Sequence, residues 1–320
     1  MKEWLASPIG RSLAAIAATL LWGSAFPVIK LSYEQLHIAS GDIGSQILFA
    51  GYRFFLSGVL ILLFMLIIRQ SIAFREGSGT TIVQIALVQT VLQYFFFYVG
   101  LSTSTGVYGS ILAGTISLFQ LLLARWMLKE ERITRRKALG LIIGFAGVGV
   151  IGMPQGGFAG HTVGIGELLL LFANFFSAGG NIMSKAASSK LPITYINGYQ
   201  MLSGGALLIL AGTLYGGLFP FSFTYATFFL LLYLAFLSAA AFMLWNVIMK
   251  YNPVGLVSVY LFLIPVFGVL LSAIFLQESL HLDTLLSLLL IVIGITVVNA
   301  KHQKSKNRIQ PRPVNIHSEG

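Results

Sequence analysis

Residues 255–276 read Gly255-Leu-Val-Ser-Val-Tyr-Leu-Phe-Leu-Ile-Pro-Val-Phe-Gly-Val-Leu-Leu-Ser-Ala-Ile-Phe-Leu276, and no side chain in the run is charged. A helix rises 1.5 Å per residue, so about 20 apolar residues cross the ~30 Å hydrocarbon core of a bilayer. Comparable runs recur along the chain: Ser12–Leu31, Gln46–Ile68, Thr81–Gly100, Thr105–Leu128, Ala138–Met153, Gly164–Ser184, Ile193–Tyr215, Ala226–Met249 and Leu282–Ala300. Together they predict an all-α integral membrane protein with ten transmembrane helices.

Composition points the same way. The 320 residues are 57% hydrophobic and 9% charged, with a mean hydropathy of +0.87. A soluble domain carries roughly 25% charged residues and needs them to cover its surface. The 20 Lys and Arg against 10 Asp and Glu give a net charge of +10. These basic residues sit in short clusters between apolar runs, which is a membrane pattern and argues against a nucleic-acid partner. With no cysteine, disulfides, thiol catalysis and cysteine metal sites are excluded. Lys2 and Arg11 ahead of an apolar run resemble a signal peptide. The run continues through Pro27 to Leu31 without a small-x-small cleavage site, so it reads as a retained first helix.

Lys and Arg also set orientation, because they concentrate in cytoplasmic loops. They occur in the N-terminus (Lys2, Arg11), the second loop (Arg69, Arg75), the fourth (Lys129, Arg132, Arg135, Arg136, Lys137), the sixth (Lys185, Lys190), the eighth (Lys250) and the tail from Lys301. The loops around 33–45, 101–104, 154–163, 216–225 and 277–281 contain none. Both termini are therefore expected in the cytoplasm, with the protein in a cell membrane.

A weak internal repeat accompanies this alternation. Trp22 to Lys30 lies over Ser177 to Lys185, and Tyr52 to Gly58 over Tyr199 to Gly205. Ser117 to Phe119 lies over Pro265 to Phe267, Leu128-Lys-Glu130 over Leu276-Gln-Glu278 and, with one extra residue allowed after Glu130, Gly147 over Gly294. Five is odd, so a second five-helix copy enters the membrane from the opposite side. The expected organisation is a cytoplasmic N-terminus (1–11), a first repeat (12–153), an external linker (154–163), an inverted second repeat (164–300) and a disordered basic tail (301–320). Inverted repeats suit alternating access around a site near the midplane.

Trp22-Gly-Ser-Ala-Phe26 in the first helix, Arg53 to Gly58 in the second, and the Leu-x-Glu endings at Glu130 and Glu278 resemble the EamA-type members of the drug/metabolite transporter superfamily. The resemblance covers about residues 12 to 300. It implies an exporter of small metabolites, commonly amino acids or related compounds, in a plasma membrane. One departure is Ser117, where such proteins usually carry a proline; Pro265 is retained in the matching helix.

Polar and aromatic residues inside the runs mark a candidate cavity, since ionisable and amide groups in a membrane usually turn inward. Asn174, Ala178, Asn181 and Lys185 share one helix face, as do Trp22, Phe26 and Lys30. Gln89, Gln93, Trp245 and Asn246 join them, with Pro27 and Pro265 as hinge positions. Interhelical hydrogen bonding is the competing reading of the Asn pair. Lys30 and Lys185 could instead snorkel to the headgroups. Arg53, about 10 Å along its helix from the estimated start, is the ionisable residue placed most clearly at depth. It is expected to favour carboxylate-bearing cargo, or else to pair with Glu167. Gly147-Val-Gly-Val-Ile-Gly152 matches G-x-G-x-x-G but lies at the end of an apolar span, so packing is expected there, together with Gly140 and Gly144. The scattered His37, His161, His281, His302 and His317 have no metal-ligand spacing.

The sequence thus predicts no enzyme, metal or cofactor. Its expected partners are a small-molecule substrate and the lipid bilayer, and a homodimer is compatible with it. The leading reading is a secondary transporter exporting a small amino acid or related carboxylate-bearing compound. A multidrug exporter of lipophilic cations and a non-transporting membrane sensor or assembly protein are carried beside it.

Overall fold

Local capping signals, rather than hydropathy, decide where the helices begin. Ser7 Oγ accepts from Gly10 N at 3.1 Å and Pro8 occupies the first turn, where its missing N–H costs nothing. The first long helix therefore starts at Pro8, ahead of the apolar run at Ser12. Asp42 caps the next through Ser45 N at 3.0 Å. Thr224 and Thr227 cap each other's backbone ahead of Tyr225.

The computed structural model describes residues 2–104, 106–128, 134–152, 164–276, 286 and 289–298, and every element among them is helical. In chain order these are α1 (Lys2–Ala6), α2 (Pro8–Gln35), α3 (Ile43–Ile67), α4 (Gly79–Thr103), α5 (Gly106–Ala113), α6 (Thr115–Met127) and α7 (Arg135–Gly152). Then come α8 (Ile165–Ala187), α9 (Ile193–Gly216), α10 (Tyr225–Tyr251), α11 (Val254–Leu276) and α12 (Leu289–Val298). Six of them, α2, α3, α4, α8, α10 and α11, are long and apolar enough to cross a membrane. The linker 154–163, the tail from 301, Glu130, Glu278 and four of the five histidines lie outside the described residues.

Three of the predicted runs are irregular. The run predicted over Thr105–Leu128 breaks at Gly114 between α5 and α6, and Ser258–Phe262 within α11 is a 3-10 turn. Ala86–Leu92 within α4 is a π segment, a form that often marks functional positions.

Polarity is distributed as lipid requires. Leu63, Phe64, Leu210, Leu214, Phe229 and Phe236 are exposed, whereas Gln46, Gln89, Gln120, Asn197, Gln200 and Asn246 are buried. Lipid tails supply little hydrophobic drive between helices, so close packing and internal hydrogen bonds must hold such a bundle. Glycine makes the close approach available. A Cβ at Gly51 would lie 2.6 Å from Ile209 N, at Gly58 2.4 Å from Leu202 N, at Gly205 2.3 Å from Phe55 N and at Gly212 2.7 Å from Leu48 N. Numbers rise along α3 as they fall along α9, so this central pair is antiparallel. The same holds for α7 and α12, where a Cβ at Gly140 would meet Val298 Cγ2 at 2.4 Å and one at Gly294 would meet Gly144 N at 3.0 Å. Helix α2 packs on α10 and α11, and α8 packs on α4 and on α5 and α6; α3 also meets α10, and α9 meets α4.

Candidate functional site

A cavity of about 50 Å³ lies at the centre of these contacts. At roughly 10–15 Å³ per water it holds three to five waters, and larger cargo requires the helices to part. Trp22, Phe26, Arg53, Gln93, Asn174 and Asn181, all expected from sequence, are on its wall. Tyr94, Phe97, Ser177 and Phe242 also line it.

Arg53 is its most unusual component. Helix α3 starts at Ile43, so Arg53 is ten residues in, about 15 Å along the axis. This is deeper than the sequence reading placed it, because Asp42 starts the helix earlier. The residue is 1% exposed. Its Nε donates to Ser238 Oγ at 2.7 Å and its Nη1 to Tyr98 Oη at 3.0 Å. The guanidinium carbon lies 4.9 Å from the Phe54 ring centroid and 5.7 Å from that of Tyr94. Those rings offset part of the burial cost through cation–π attraction. Among the described residues no carboxylate pairs with it and Nη2 has no acceptor. The anticipated pairing with Glu167 is absent. Glu167 instead accepts from Ser104 Oγ at 2.9 Å and closes the N-terminal cap of α8 through Gly164 N.

The amides divide into wall and support. Asn174 Nδ2 donates to Leu112 O at 2.7 Å and to Thr115 Oγ1 at 3.1 Å, which satisfies a carbonyl beside the break at Gly114. Asn181 accepts from Gln89 Nε2 at 2.9 Å and donates to Gln120 Oε1 at 2.8 Å; Gln120 in turn donates to Ser258 Oγ at 2.7 Å. This chain ties α8 to α4, α6 and α11. Gln93 Oε1 is buried on the wall without a partner.

Four expected wall residues lie elsewhere. Gln89, on the π segment, stands behind Asn181. Trp245 backs Trp22, with ring centroids 5.4 Å apart. Asn246 Nδ2 donates to Asn197 Oδ1 at 2.7 Å and joins α10 to α9. Lys30 Nζ donates to the Leu101 and Ser104 carbonyls at 2.8 and 2.6 Å, beyond the cavity at the end of α4. Pro27 sits in an unbroken α2, one turn after Gly23, where a Cβ would lie 2.6 Å from Phe267 Cβ. Pro265 is on the facing helix α11. Tyr98 and Ser238, which orient Arg53, escaped the sequence reading because aromatic and hydroxyl residues are common throughout the runs. Among the described residues no group of three His, Asp or Glu is placed to hold a metal.

The sequence pattern of the EamA-like transporter family matches residues 11–153 and again residues 164–300. A Bacillus subtilis (strain 168) protein named "Uncharacterized transporter YvbV" is 29% identical over 294 residues, covering 90% of each chain. An "Uncharacterized transporter" of Archaeoglobus fulgidus is 26% identical over 290 residues, covering 89% of this chain and 96% of its own. A solved structure titled "Crystal structure of protein" superposes with a TM-score of 0.74 at 20% identity, over 94% of this chain and 100% of that one. With two family matches spanning most of its length and apolar helices of membrane length enclosing a largely apolar cavity, the chain belongs to the EamA-like transporter family and is a multi-pass membrane transporter.

Proposed function

We propose that the protein is a secondary transporter that exports a small carboxylate-bearing metabolite, such as an amino acid, across the cell membrane by alternating access. Ten helices form two inverted five-helix repeats, 12–153 and 164–300, with both termini cytoplasmic. Exchanging α2 with α8, α3 with α9, α4 with α10 and α5–α6 with α11 maps the principal contacts onto one another. The pairs α3–α9 and α7–α12 join equivalent helices antiparallel, which is what a pseudo-two-fold axis in the membrane plane produces.

The observation that carries the substrate class is Arg53. A guanidinium stays charged at any physiological pH, and its planar fork matches a carboxylate. Here Ser238 and Tyr98 hold one edge, and among the described residues Nη2 has no acceptor and the cavity wall no carboxylate. The lipophilic-cation reading finds support in the aromatic wall, but a fixed positive charge repels such cargo. Metabolite profiles of medium from cells with and without overexpressed protein test the proposal. Accumulation of a small carboxylate compound is expected; release of cationic drugs alone would overturn the substrate class, and release of nothing above background would overturn export.

A further inference from the structure

We propose that Lys30 and Lys185 are two matched latches, one at each end of the cavity, and that the carrier opens to each side by releasing one of them while the other holds. The inference rests on the alternating-access reading above.

Lys30 Nζ donates to the carbonyls of Leu101 and Ser104 at 2.8 and 2.6 Å. Lys185 Nζ donates to those of Met249 and Asn252 at 2.6 and 2.8 Å. Both acceptor pairs are separated by the same interval, 249 − 101 = 252 − 104 = 148, which is also the interval between Ser117 and Pro265. The lysines themselves occupy matching positions of the sequence repeat. Ser104 and Asn252 are the C-cap residues of α4 and α10, and both are extended, at φ −114 and −130°. One arrangement therefore occurs twice.

Its chemistry is that of a reversible clamp. The last carbonyls of a helix lack intrahelical donors and carry the negative end of the helix dipole, so an ammonium binds them by charge-assisted hydrogen bonds. Each cap is also tied to the start of a helix from the opposite half. Ser104 Oγ donates to Glu167 at the start of α8, and Asn252 Oδ1 accepts from Arg11 Nη1 at 3.4 Å near the start of α2. The two latches lie far apart. A Cβ at Gly100 would meet Gly166 O at 2.8 Å and one at Gly180 would meet Gln89 Cβ at 2.4 Å, so α4 and α8 are antiparallel. The Lys30 latch thus sits at the beginning of α8, and Lys185 sits about 27 Å further along it. Between them lie Asn174, Ser177 and Asn181 of the cavity wall. Breaking one clamp frees one end of α4 or α10 from its partner helix and leaves the other end closed.

The chain has no cysteine, so Ser177→Cys places a single thiol on the cavity wall. Its labelling by a membrane-impermeant maleimide is measured in right-side-out and inside-out vesicles. Lys30→Gln should raise labelling about tenfold from one face only, and Lys185→Gln by a similar factor from the opposite face only, as expected for loss of a charge-assisted bond. Lys30→Arg and Lys185→Arg retain donors and should restore most of the parental pattern. Labelling raised from both faces by either variant, raised from the same face by both, or unchanged at normal membrane levels would overturn the latches. If only one Gln variant accumulates in the membrane, the one-face requirement on that variant decides alone. Correct labelling shifts in a protein that releases no metabolite would keep them while refuting export.

Discussion

Replacing Gly58 by alanine puts a methyl group 2.4 Å from Leu202 N and 2.7 Å from Leu202 Cα, where ordinary contact begins near 3.4 Å. The obstruction is backbone, so no rotamer change relieves it, and α3 and α9 must separate locally by about 3.4 − 2.4 = 1.0 Å. A radial gap of that size forfeits a quarter to a half of each atomic contact of about 0.1–0.2 kcal/mol. For about fifty such contacts, as many as one buried Leu makes, the loss is about 1–5 kcal/mol. That overlaps the 1–3 kcal/mol typical of overpacking, and a destabilisation of about 2–3 kcal/mol is expected. Gly41→Ala, with nothing within 4 Å, should change stability by less than about 0.5 kcal/mol. Unfolding in mixed micelles with rising SDS fraction, followed by tryptophan fluorescence, compares the two. Leu202→Ala should not rescue Gly58→Ala. Unfolding of Gly58→Ala at the same SDS fraction as Gly41→Ala would refute the close α3–α9 seam.

Other consequences are equally direct. Glu167→Gln keeps an acceptor for Ser104 and for the N-terminal cap of α8, so transport should persist at a substantial fraction of the parental rate; complete loss in a normally inserted protein would make Glu167 a proton-coupling group. A double-mutant cycle of Gln89→Leu and Asn181→Leu should give a coupling of about 0.6–1.7 kcal/mol, the range of buried interhelical hydrogen bonds in a membrane, and zero coupling would remove the amide chain from the account. Reporter fusions at Gly217 should score as external and those at Gly77 and Ser189 as cytoplasmic; the reverse pattern would invert the proposed orientation.

The helices were legible because the demand of a bilayer for apolar length leaves little freedom. Their starts were misplaced where capping, not hydropathy, sets them: Ser7 and Pro8 extend α2, and Asp42 extends α3. The break at Gly114 and the π segment at Ala86–Leu92 were not legible, since both depend on partners from other helices. Asn174, for example, satisfies the Leu112 carbonyl beside that break. The same logic sorts the site. Arg53, Gln93, Asn174 and Asn181 stand out because polar groups in apolar runs must face inward. Inward, however, does not mean onto the wall, and Gln89 and Asn246 spend their amides on neighbouring helices. Lys30 spends its ammonium on a helix end. Tyr94, Phe97 and Phe242 carried no signal in a chain that is 13% aromatic.

The most direct test of the account is paired efflux of a carboxylate metabolite and its neutral amide analogue from cells carrying the parental protein, Arg53→Lys or Arg53→Gln at matched membrane levels. Loss of the guanidinium–carboxylate contact corresponds to about 1.5–3 kcal/mol, so Arg53→Gln should lower carboxylate efflux at limiting substrate by roughly tenfold to a hundredfold. The neutral analogue should change little. Arg53→Lys keeps the charge without the fork, and should fall between. Equal losses for both compounds would contradict the claim and leave Arg53 as a residue that holds Ser238 and Tyr98 in place.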